Sequence, residues 1–363
     1  MMEGSNVPFQ PDGRPRSVHQ RGWRQLIVSA AVIGAVFAMP APAQDAALVA
    51  KAKAEGSLTW YTADTVLAAE ELAKRFQEQY GVRVEVNRKT TLPLVQQFST
   101  ESSRGQSPAD VITVIGMGSI AGVLGPKNLL QAYVPAGAAK LPAIYRVGDI
   151  AFAYSVSPMG VMYNTKLVNE KDAQILANYN GWLDPRFIGK MAITAPIGGT
   201  TAGNMLMMQT RQGVKFIESL AKGQKAVVYQ TVATVADAVA SGEQAIGVNV
   251  TPSVVSRAVE GAPIRFLFQD EWTYVVPAVS AISAKAPHPS ASRLFAEWLM
   301  TPATQARHAS ISYWVPTLPG VQVKYPSADW LKQPKNPVAE KDPVAYEKEI
   351  SGNVEKWRAI LGW

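Results

Sequence analysis

A glycine- and threonine-rich segment, Ile197–Asn204 (IGGTTAGN), has the composition of a loop that contacts an anion. Gly198 and Gly199 lack side chains, so a ligand can approach the backbone closely there. Thr200 or Thr201 can cap the following helix, and the free amides of a first helical turn, which here includes Ala202, favour negative charge. The same residues also suit a simple strand-to-helix turn, and composition alone leaves both interpretations open.

A second loop, GMGS, begins at Gly116 and follows the nearly all-apolar strand predicted at Ala109–Ile115. It looks at first like a dinucleotide-binding fingerprint. The third glycine falls at Gly122, one place too late, and the strand is the third of the lobe instead of the first. We therefore interpret Gly116, Gly118 and Ser119 as a ligand loop whose amides and hydroxyl face the solute.

Trp272 and Tyr274 end a loop between two predicted strands. Aromatic side chains at such a position can wall an organic ligand. They can equally pack on the surface of their own lobe, and both interpretations stay open.

Catalytic chemistry has little support in this sequence. The chain has three histidines and no cysteine, and only His288 and His308 lie beyond the N-terminal segment. There is no G-x-S-x-G elbow, no H-E-x-x-H motif and no Cys/His cluster. We predict a protein that is not an enzyme, with no catalytic residue, no resident metal and no cofactor.

The N-terminus has the pattern of a cleaved secretory signal over residues 1–43. Arginines from Arg14 to Arg24 precede the uncharged run Leu26–Met39, and Ala41-Pro42-Ala43 supplies an A-x-A cleavage site. The run is shorter than the roughly 20 residues that span a bilayer, which disfavours the alternative of a membrane anchor. Without cysteine there is no site for lipid attachment, so we predict a free protein in the periplasm of a Gram-negative cell.

Strands and helices alternate along the predicted mature chain, which is typical of an α/β fold. The chain that remains after cleavage is longer than a single hydrophobic core usually supports, so we expect two lobes. The formal net charge is +7 without a Lys/Arg block, which excludes a nucleic-acid-binding role.

Several segments together resemble the type II periplasmic substrate-binding proteins, in the branch of the ferric-ion-binding proteins. They are GSLTWYTA, PADVITV, GVMYNTKLV, LDPRFIGKMAITAP, ASGEQAIGVNV, EGAPIRFLF and VVPAVSAISAKAPHPSASRLFAEWLMTPATQ, in the family's order. The resemblance implies a two-lobed clamshell, each lobe a mixed sheet flanked by helices, with two hinge crossovers. Lobe 1 would comprise 56–155 plus 283–363, and lobe 2 would comprise 156–282. The implied partners are an inner-membrane ABC permease and its ATPase, and the implied state is a monomer.

The resemblance also adds site residues. The loop Thr62-Ala63-Asp64 would present ligand contacts from lobe 1, although Asp64 can instead cap the next helix. Ferric-binding relatives carry adjacent tyrosines just after an asparagine. This chain has Asn249, but Thr251 stands where a tyrosine would be and cannot supply an anionic oxygen to iron.

We therefore predict a periplasmic receptor for a small anion, either an organic phosphate or phosphonate or a carboxylate. The first alternative is a ferric-iron-binding transport protein that uses a synergistic anion. The second is an envelope hydrolase on the same scaffold, and a sensory role is a third.

Overall fold

The computed structural model describes residues 45–363. The predicted secretory signal, residues 1–43, lies outside the described residues. Across the described range, no helix combines the length and the apolar character that crossing a membrane requires.

Twelve strands and eleven α-helices form within residues 45–363. The strands are β1 (Ser57–Thr62), β2 (Arg83–Arg88), β3 (Val111–Ile115), β4 (Arg146–Val147), β5 (Ala151–Asn164), β6 (Met191–Thr194), β7 (Val227–Tyr229), β8 (Ile246–Val250), β9 (Ile264–Leu267), β10 (Thr273–Ile282), β11 (Val315–Pro316) and β12 (Pro337–Val338). The helices are α1 (Ala46–Glu55), α2 (Val66–Tyr80), α3 (Thr91–Ser103), α4 (Glu170–Ile175), α5 (Gly199–Gln212), α6 (Val214–Glu218), α7 (Val232–Ser241), α8 (Thr251–Val259), α9 (Pro289–Leu299), α10 (Pro302–Ser312) and α11 (Pro343–Leu361).

One continuous sheet runs in the order β2-β1-β3-β10-β5-β8-β6-β7. The strands β1, β2 and β3 are parallel at one end, and β6, β7 and β8 are parallel at the other. Between them, β5 and β10 pair antiparallel with each other and with their outer neighbours. We call the end that contains β1–β3 the first lobe and the end that contains β6–β8 the second lobe. The predicted two-lobed α/β architecture is confirmed.

The strand β5 runs through Pro158 and Gly160, two residue types that usually interrupt a strand. In the structure the strand starts at Ala151 and every residue of it is buried. A Cβ at Gly160 would lie 2.4 Å from the carbonyl oxygen of Leu267, so glycine is needed where β9 approaches β5.

The first-lobe core is organised around aromatic side chains. Phe295 of α9 packs edge-on against Trp60 of β1 and Phe76 of α2, with ring centroids 5.1 and 5.0 Å apart. Such pairs contribute about 0.5–1.5 kcal/mol beyond the burial of their area. The helix α9, which follows β10 in the chain, therefore returns to the first lobe.

The end of the chain packs on the second lobe, which differs from the predicted assignment of 283–363 to lobe 1. The apolar stripe of α11, which includes Ile350 and Trp357, belongs to the core around β6 and α5. The side chain of Trp357 is fully buried, and its Nε1 donates to Oε1 of Gln209 on α5 at 2.8 Å. Leu331 packs with residues of α7 and α8. The chain thus crosses between lobes a third time after α10, where two crossovers were expected.

Replacing Trp357 by Ala should lower the free energy of unfolding by about 3–5 kcal/mol, because a large buried side chain and its hydrogen bond are lost. Urea unfolding of the wild type and of Trp357→Ala measures the difference. The matched control is Lys356→Ala on the exposed side of α11, which should leave stability unchanged. Equal stability of Trp357→Ala and wild type would contradict this packing of α11.

Candidate ligand-binding site

A groove of about 410 Å³ lies between the two lobes. It collects residues at or just after the carboxyl ends of parallel strands: Ile115 of β3, Thr194 of β6, Gln230 after β7 and Val250 of β8. Ligands of open α/β sheets bind outside these strand ends, and the volume suits a small organic molecule.

Three helices begin at this groove, which is therefore electropositive. The helix α5 starts after Gly198, and α8 starts after Val250, with no side chain of the described residues capping either one. The helix α7 is capped by Thr231, which accepts a hydrogen bond from Thr234 N. Each N-terminus carries roughly half a positive charge from its unbonded amides. Gly199, at the start of α5, has φ +56°, a left-handed conformation that favours glycine.

Two buried threonine hydroxyls lack hydrogen-bond partners within residues 45–363. They are Oγ1 of Thr194, in the groove lining, and Oγ1 of Thr251, in the first turn of α8. An unpartnered buried hydroxyl costs about 1–3 kcal/mol, so a ligand oxygen would be favoured beside it. In contrast, Thr201 Oγ1 donates to the carbonyl of Gly198 at 3.1 Å.

Asn249 shapes the groove from beneath instead of facing it. Its Nδ2 donates to the carbonyl of Val232 at 2.8 Å, and its Oδ1 accepts from the amide of Val250 at 2.8 Å. The side chain thereby ties the end of β8 to the start of α7. Its predicted role as a direct ligand contact is not supported, because the residue is fully buried and both ends of its amide are bonded.

Apolar side chains form the walls. Ile115 and Trp314 line the first-lobe side, and Ile197 and Val232 line the second-lobe side. Among the described residues, no charged side chain lines the groove. Electropositive character therefore comes from the backbone, while the walls suit the carbon skeleton of an organic solute.

The predicted loop Thr62-Ala63-Asp64 is buried and lies outside the groove lining. The carboxylate of Asp64 accepts from the hydroxyl of Tyr154 at 2.6 Å, from the amide of Thr65 at 2.7 Å, and lies 2.8 Å from Nε2 of His308. Thr62 Oγ1 accepts from the amide of Asp64. These side chains hold the lobe together, so their assignment as ligand contacts was wrong.

The buried cluster around Asp64 keeps its carboxylate ionised. Burial by itself raises the pKa of this carboxyl, but the charge of His308 and hydrogen bonds from His308, Tyr154 and Thr65 outweigh it. The pKa of Asp64 is therefore lowered in the folded state. The pKa of Tyr154 is raised well above its ordinary value by burial and by the neighbouring Asp64.

The predicted loop at Gly116 lies beside the groove. The amide of Gly116 donates to the carbonyl of Pro277 at 2.8 Å, and the residue has φ +84°. Gly118 and Ser119 are half-buried ahead of a short helical turn and are not part of the groove lining. Only the residue before this loop, Ile115, reaches the groove.

Trp272 and Tyr274 belong to the second-lobe core, and the interpretation as a ligand wall was wrong. Trp272 stacks on Tyr179 with ring centroids 4.2 Å apart. Tyr274 packs against Gly203, where an added Cβ would lie 2.3 Å from the phenol oxygen. Burial between strands and helices leaves neither ring open to a solute.

The two histidines that a hydrolase would need are held in separate pairs. Nδ1 of His288 lies 2.9 Å from Asp110, and Nε2 of His308 lies 2.8 Å from Asp64. His308 is fully buried. The described residues contain no group of three acidic, histidine or cysteine side chains that suits a metal ion.

Sequence reasoning found Thr200 and Thr201 of the groove and missed several other lining residues. Thr194 was detectable, because it ends a predicted strand. Gln230 and Thr231 had no such signal, since β7 is a three-residue strand that periodicity does not reveal.

Comparisons with known proteins agree with this architecture. Residues 71–338 match the family model described as bacterial extracellular solute-binding protein. No curated protein sequence matches the chain.

Solved structures share the fold at low sequence identity. Iron-bound HitA from Pseudomonas aeruginosa is 20% identical with a TM-score of 0.66, and the match covers 83% of this chain and 99% of that one. The Trichodesmium protein IdiA (FutA), in complex with iron and citrate, is 20% identical with a TM-score of 0.69, covering 85% and 100%. A Bordetella ferric binding protein is 19% identical with a TM-score of 0.69, covering 83% and 98%.

Replacing Asp64 by Asn should lower the free energy of unfolding near pH 7 by about 3–5 kcal/mol, because it removes the buried carboxylate that accepts hydrogen bonds from Tyr154 and Thr65 and contacts His308. The folded-state pKa of Asp64 is lowered, so its stabilisation is present above the unfolded carboxyl pKa of about 3.9 and is lost as the pH falls through the folded value. The difference in the free energy of unfolding between wild type and Asp64→Asn should therefore become smaller at low pH.

Urea unfolding near pH 7 and near pH 3 measures both effects. The control is Asp270→Asn, which removes an exposed pair with Lys335 and should change stability little at either pH. A difference between wild type and Asp64→Asn that stays constant with pH would show that the charge of Asp64 contributes nothing.

Proposed function

This chain belongs to the bacterial extracellular solute-binding proteins, and we propose that the solute it delivers to an ABC importer is a small organic anion bound in the interlobe groove. The anion is an organic phosphate or phosphonate or a carboxylate. It is held by backbone amides and hydroxyls, and no metal or cofactor takes part in the proposed binding.

The observation that carries this proposal is the start of α5. Its uncapped first turn opens on the groove beside the unpartnered hydroxyl of Thr194. Amides at a helix N-terminus favour negative charge, and a buried hydroxyl without a partner favours a hydrogen-bond acceptor. The oxygens of one oxyanion head group would accept hydrogen bonds from these helix amides and from the hydroxyl of Thr194. Nearby, Thr200 borders the groove and Thr251 Oγ1 is the second unpartnered hydroxyl.

Residues of the first lobe complete the proposed site. Ile115 and Trp314 face the second-lobe helix starts across the groove. Thr91, at the start of α3, accepts a hydrogen bond from the amide of Ile115. Arg88, the last residue of β2, and Lys89 after it have exposed side chains at the same edge of the sheet and would attract an anion.

We infer that the ligand is captured by hinge motion. The lobes share β5 and β10, and the groove lining includes Ser157 of β5. Bending at these strands would bring Trp314 towards the start of α5 and shield the solute from water. The closed surface would then be recognised by the permease of the importer, with its ATPase on the other side of the membrane.

We also propose where the protein acts and in which oligomeric state. The protein would be exported through a cleaved secretory signal into the periplasm of a Gram-negative bacterium, and act there as a monomer. Catalysis is not part of the proposed role, because neither His288 nor His308 lines the groove.

Ferric iron is the second candidate ligand. It is favoured by the structural neighbours, which include iron-bound and ferric-binding proteins. The groove chemistry argues against it, because no tyrosine, aspartate or glutamate of residues 45–363 lines the groove. A hard trivalent cation prefers anionic oxygen donors, and threonine hydroxyls do not supply them near neutral pH.

Replacing Thr194 by Val should weaken binding of small phosphonates and carboxylates about tenfold, because it removes one hydrogen bond worth about 1.4 kcal/mol. Stability without ligand should stay the same or rise, because the buried hydroxyl has no partner to lose. Thermal unfolding with a panel of these anions, followed by calorimetric titration of the best one, measures both quantities.

Thr210→Val is the matched control. Its hydroxyl donates to the carbonyl of Leu206 on the same helix, away from the groove. This variant should keep the affinity of the wild type and lose some stability. Equal anion affinity in Thr194→Val and wild type would contradict the proposed head-group site.

Iron loading separates the two candidate ligands. Ferric iron with carbonate, ferric iron with citrate, carbonate alone and citrate alone are each added to the purified protein. We expect neither iron mixture to raise the melting temperature above that of its anion alone, and the protein should stay colourless. A rise that requires iron would show that the anion proposal names the wrong solute.

A further inference from the structure

Trp314 is the large aromatic side chain in the groove lining. It is half-buried and lies between the end of α10 and the start of β11, on the first-lobe side. The other first-lobe lining residue, Ile115, is aliphatic. An indole at this position presents a flat apolar surface to whatever enters the groove.

The position of Trp314 is set by contacts on both sides of its backbone. Its amide donates to Oγ of Ser312 at 3.2 Å, and its carbonyl accepts from the hydroxyl of Tyr325 at 2.8 Å. The next residue, Val315, pairs with β5 at Val156. Trp314 is therefore placed by the fold before any ligand arrives.

The buried histidine cluster supports the ring itself. The ring of His308 lies edge-on to the indole, with centroids 6.5 Å apart and planes at 77°. His308 is in turn fixed by Asp64 at 2.8 Å, and its Nδ1 lies 3.3 Å from Oγ of Ser312. Asp64, which the sequence predicted to contact the ligand, thus holds His308 in place behind Trp314 and has no direct contact with the groove.

The groove separates polar from apolar chemistry. Polar groups gather at the start of α5 and at Thr194, whereas Trp314 faces a second-lobe wall that contains Val232 and Ile197. Ile197 is 57% exposed, so this wall offers aliphatic surface that a bound solute would cover. An inorganic oxyanion would leave both apolar walls uncovered.

We propose that the solute carries a planar, aromatic body on its anionic head, and that Trp314 is the residue that selects for this body. The inference rests on the proposed function, since it places the head group at the start of α5. The ring of the solute stacks on the indole, and the aliphatic wall covers its opposite side. Stacked or edge-on aromatic contacts add to the free energy gained from burial alone.

The experiment compares ligands that share a head group and differ in body. Calorimetric titration measures the dissociation constants of methylphosphonate, cyclohexylphosphonate and phenylphosphonate, with acetate and benzoate as a carboxylate pair. In the wild type, the phenyl compound should bind about tenfold more tightly than the methyl compound and more tightly than the cyclohexyl compound. This comparison needs no variant.

Two substitutions then assign the preference to one residue. Trp314→Ala should bring the affinities for the phenyl and methyl compounds within about threefold of each other, and Trp314→Phe should keep most of the preference for the phenyl compound. Trp330→Ala, a half-buried tryptophan outside the groove lining, is the matched control and should behave as the wild type.

The outcomes separate the two proposals. Equal affinity for phenyl and methyl compounds in the wild type would overturn the aromatic body and leave the head-group site standing. A preference that survives in Trp314→Ala would overturn the role of Trp314. Failure of every phosphonate and carboxylate to bind would overturn the proposed function together with this inference.

Discussion

The antiparallel pairing of β5 with β10 is the contact on which both lobes depend. Residues of β5 from Phe152 to Pro158 pair with β10, and those from Met159 onward pair with β8 and β9, so one strand serves two cores. All 14 residues of β5 are buried, which excludes water from its hydrogen bonds. Because Ser157 of this strand also lines the groove, the strands that join the lobes also set the spacing of the site.

The groove combines two physical contributions that no charged side chain supplies. Helix starts provide positive potential from aligned peptide dipoles, and they do so without desolvating a lysine or arginine. The buried hydroxyl of Thr194 adds a directional donor. Trp314 and Ile197 provide apolar surface opposite to each other.

The fold was largely predictable because its signals are local. The apolar strand predicted at Ala109–Ile115 forms β3 (Val111–Ile115), and the predicted glycine–threonine segment begins α5 (Gly199–Gln212). Periodicity encodes such elements within a few consecutive residues. Periodicity fails where contacts between distant residues override local preference. Pro158 and Gly160 lie inside β5 because β9 and β10 pack along this strand. The helix α11 packs on the second lobe because its apolar stripe contacts α5 there.

The sequence by itself determined the α/β alternation and the glycine–threonine start of α5, since both are properties of contiguous residues. Only the tertiary structure decided which polar side chains face a solute. Asp64 follows a strand, as a ligand-binding residue would. However, it is buried against His308, which lies 244 positions later in the chain, and it does not reach the groove. Trp272 has the composition of a ligand wall and lies in the core, whereas Trp314 has no sequence signal and reaches the groove. Accessibility depends on what packs against a side chain, and those contacts come from residues far away in the chain.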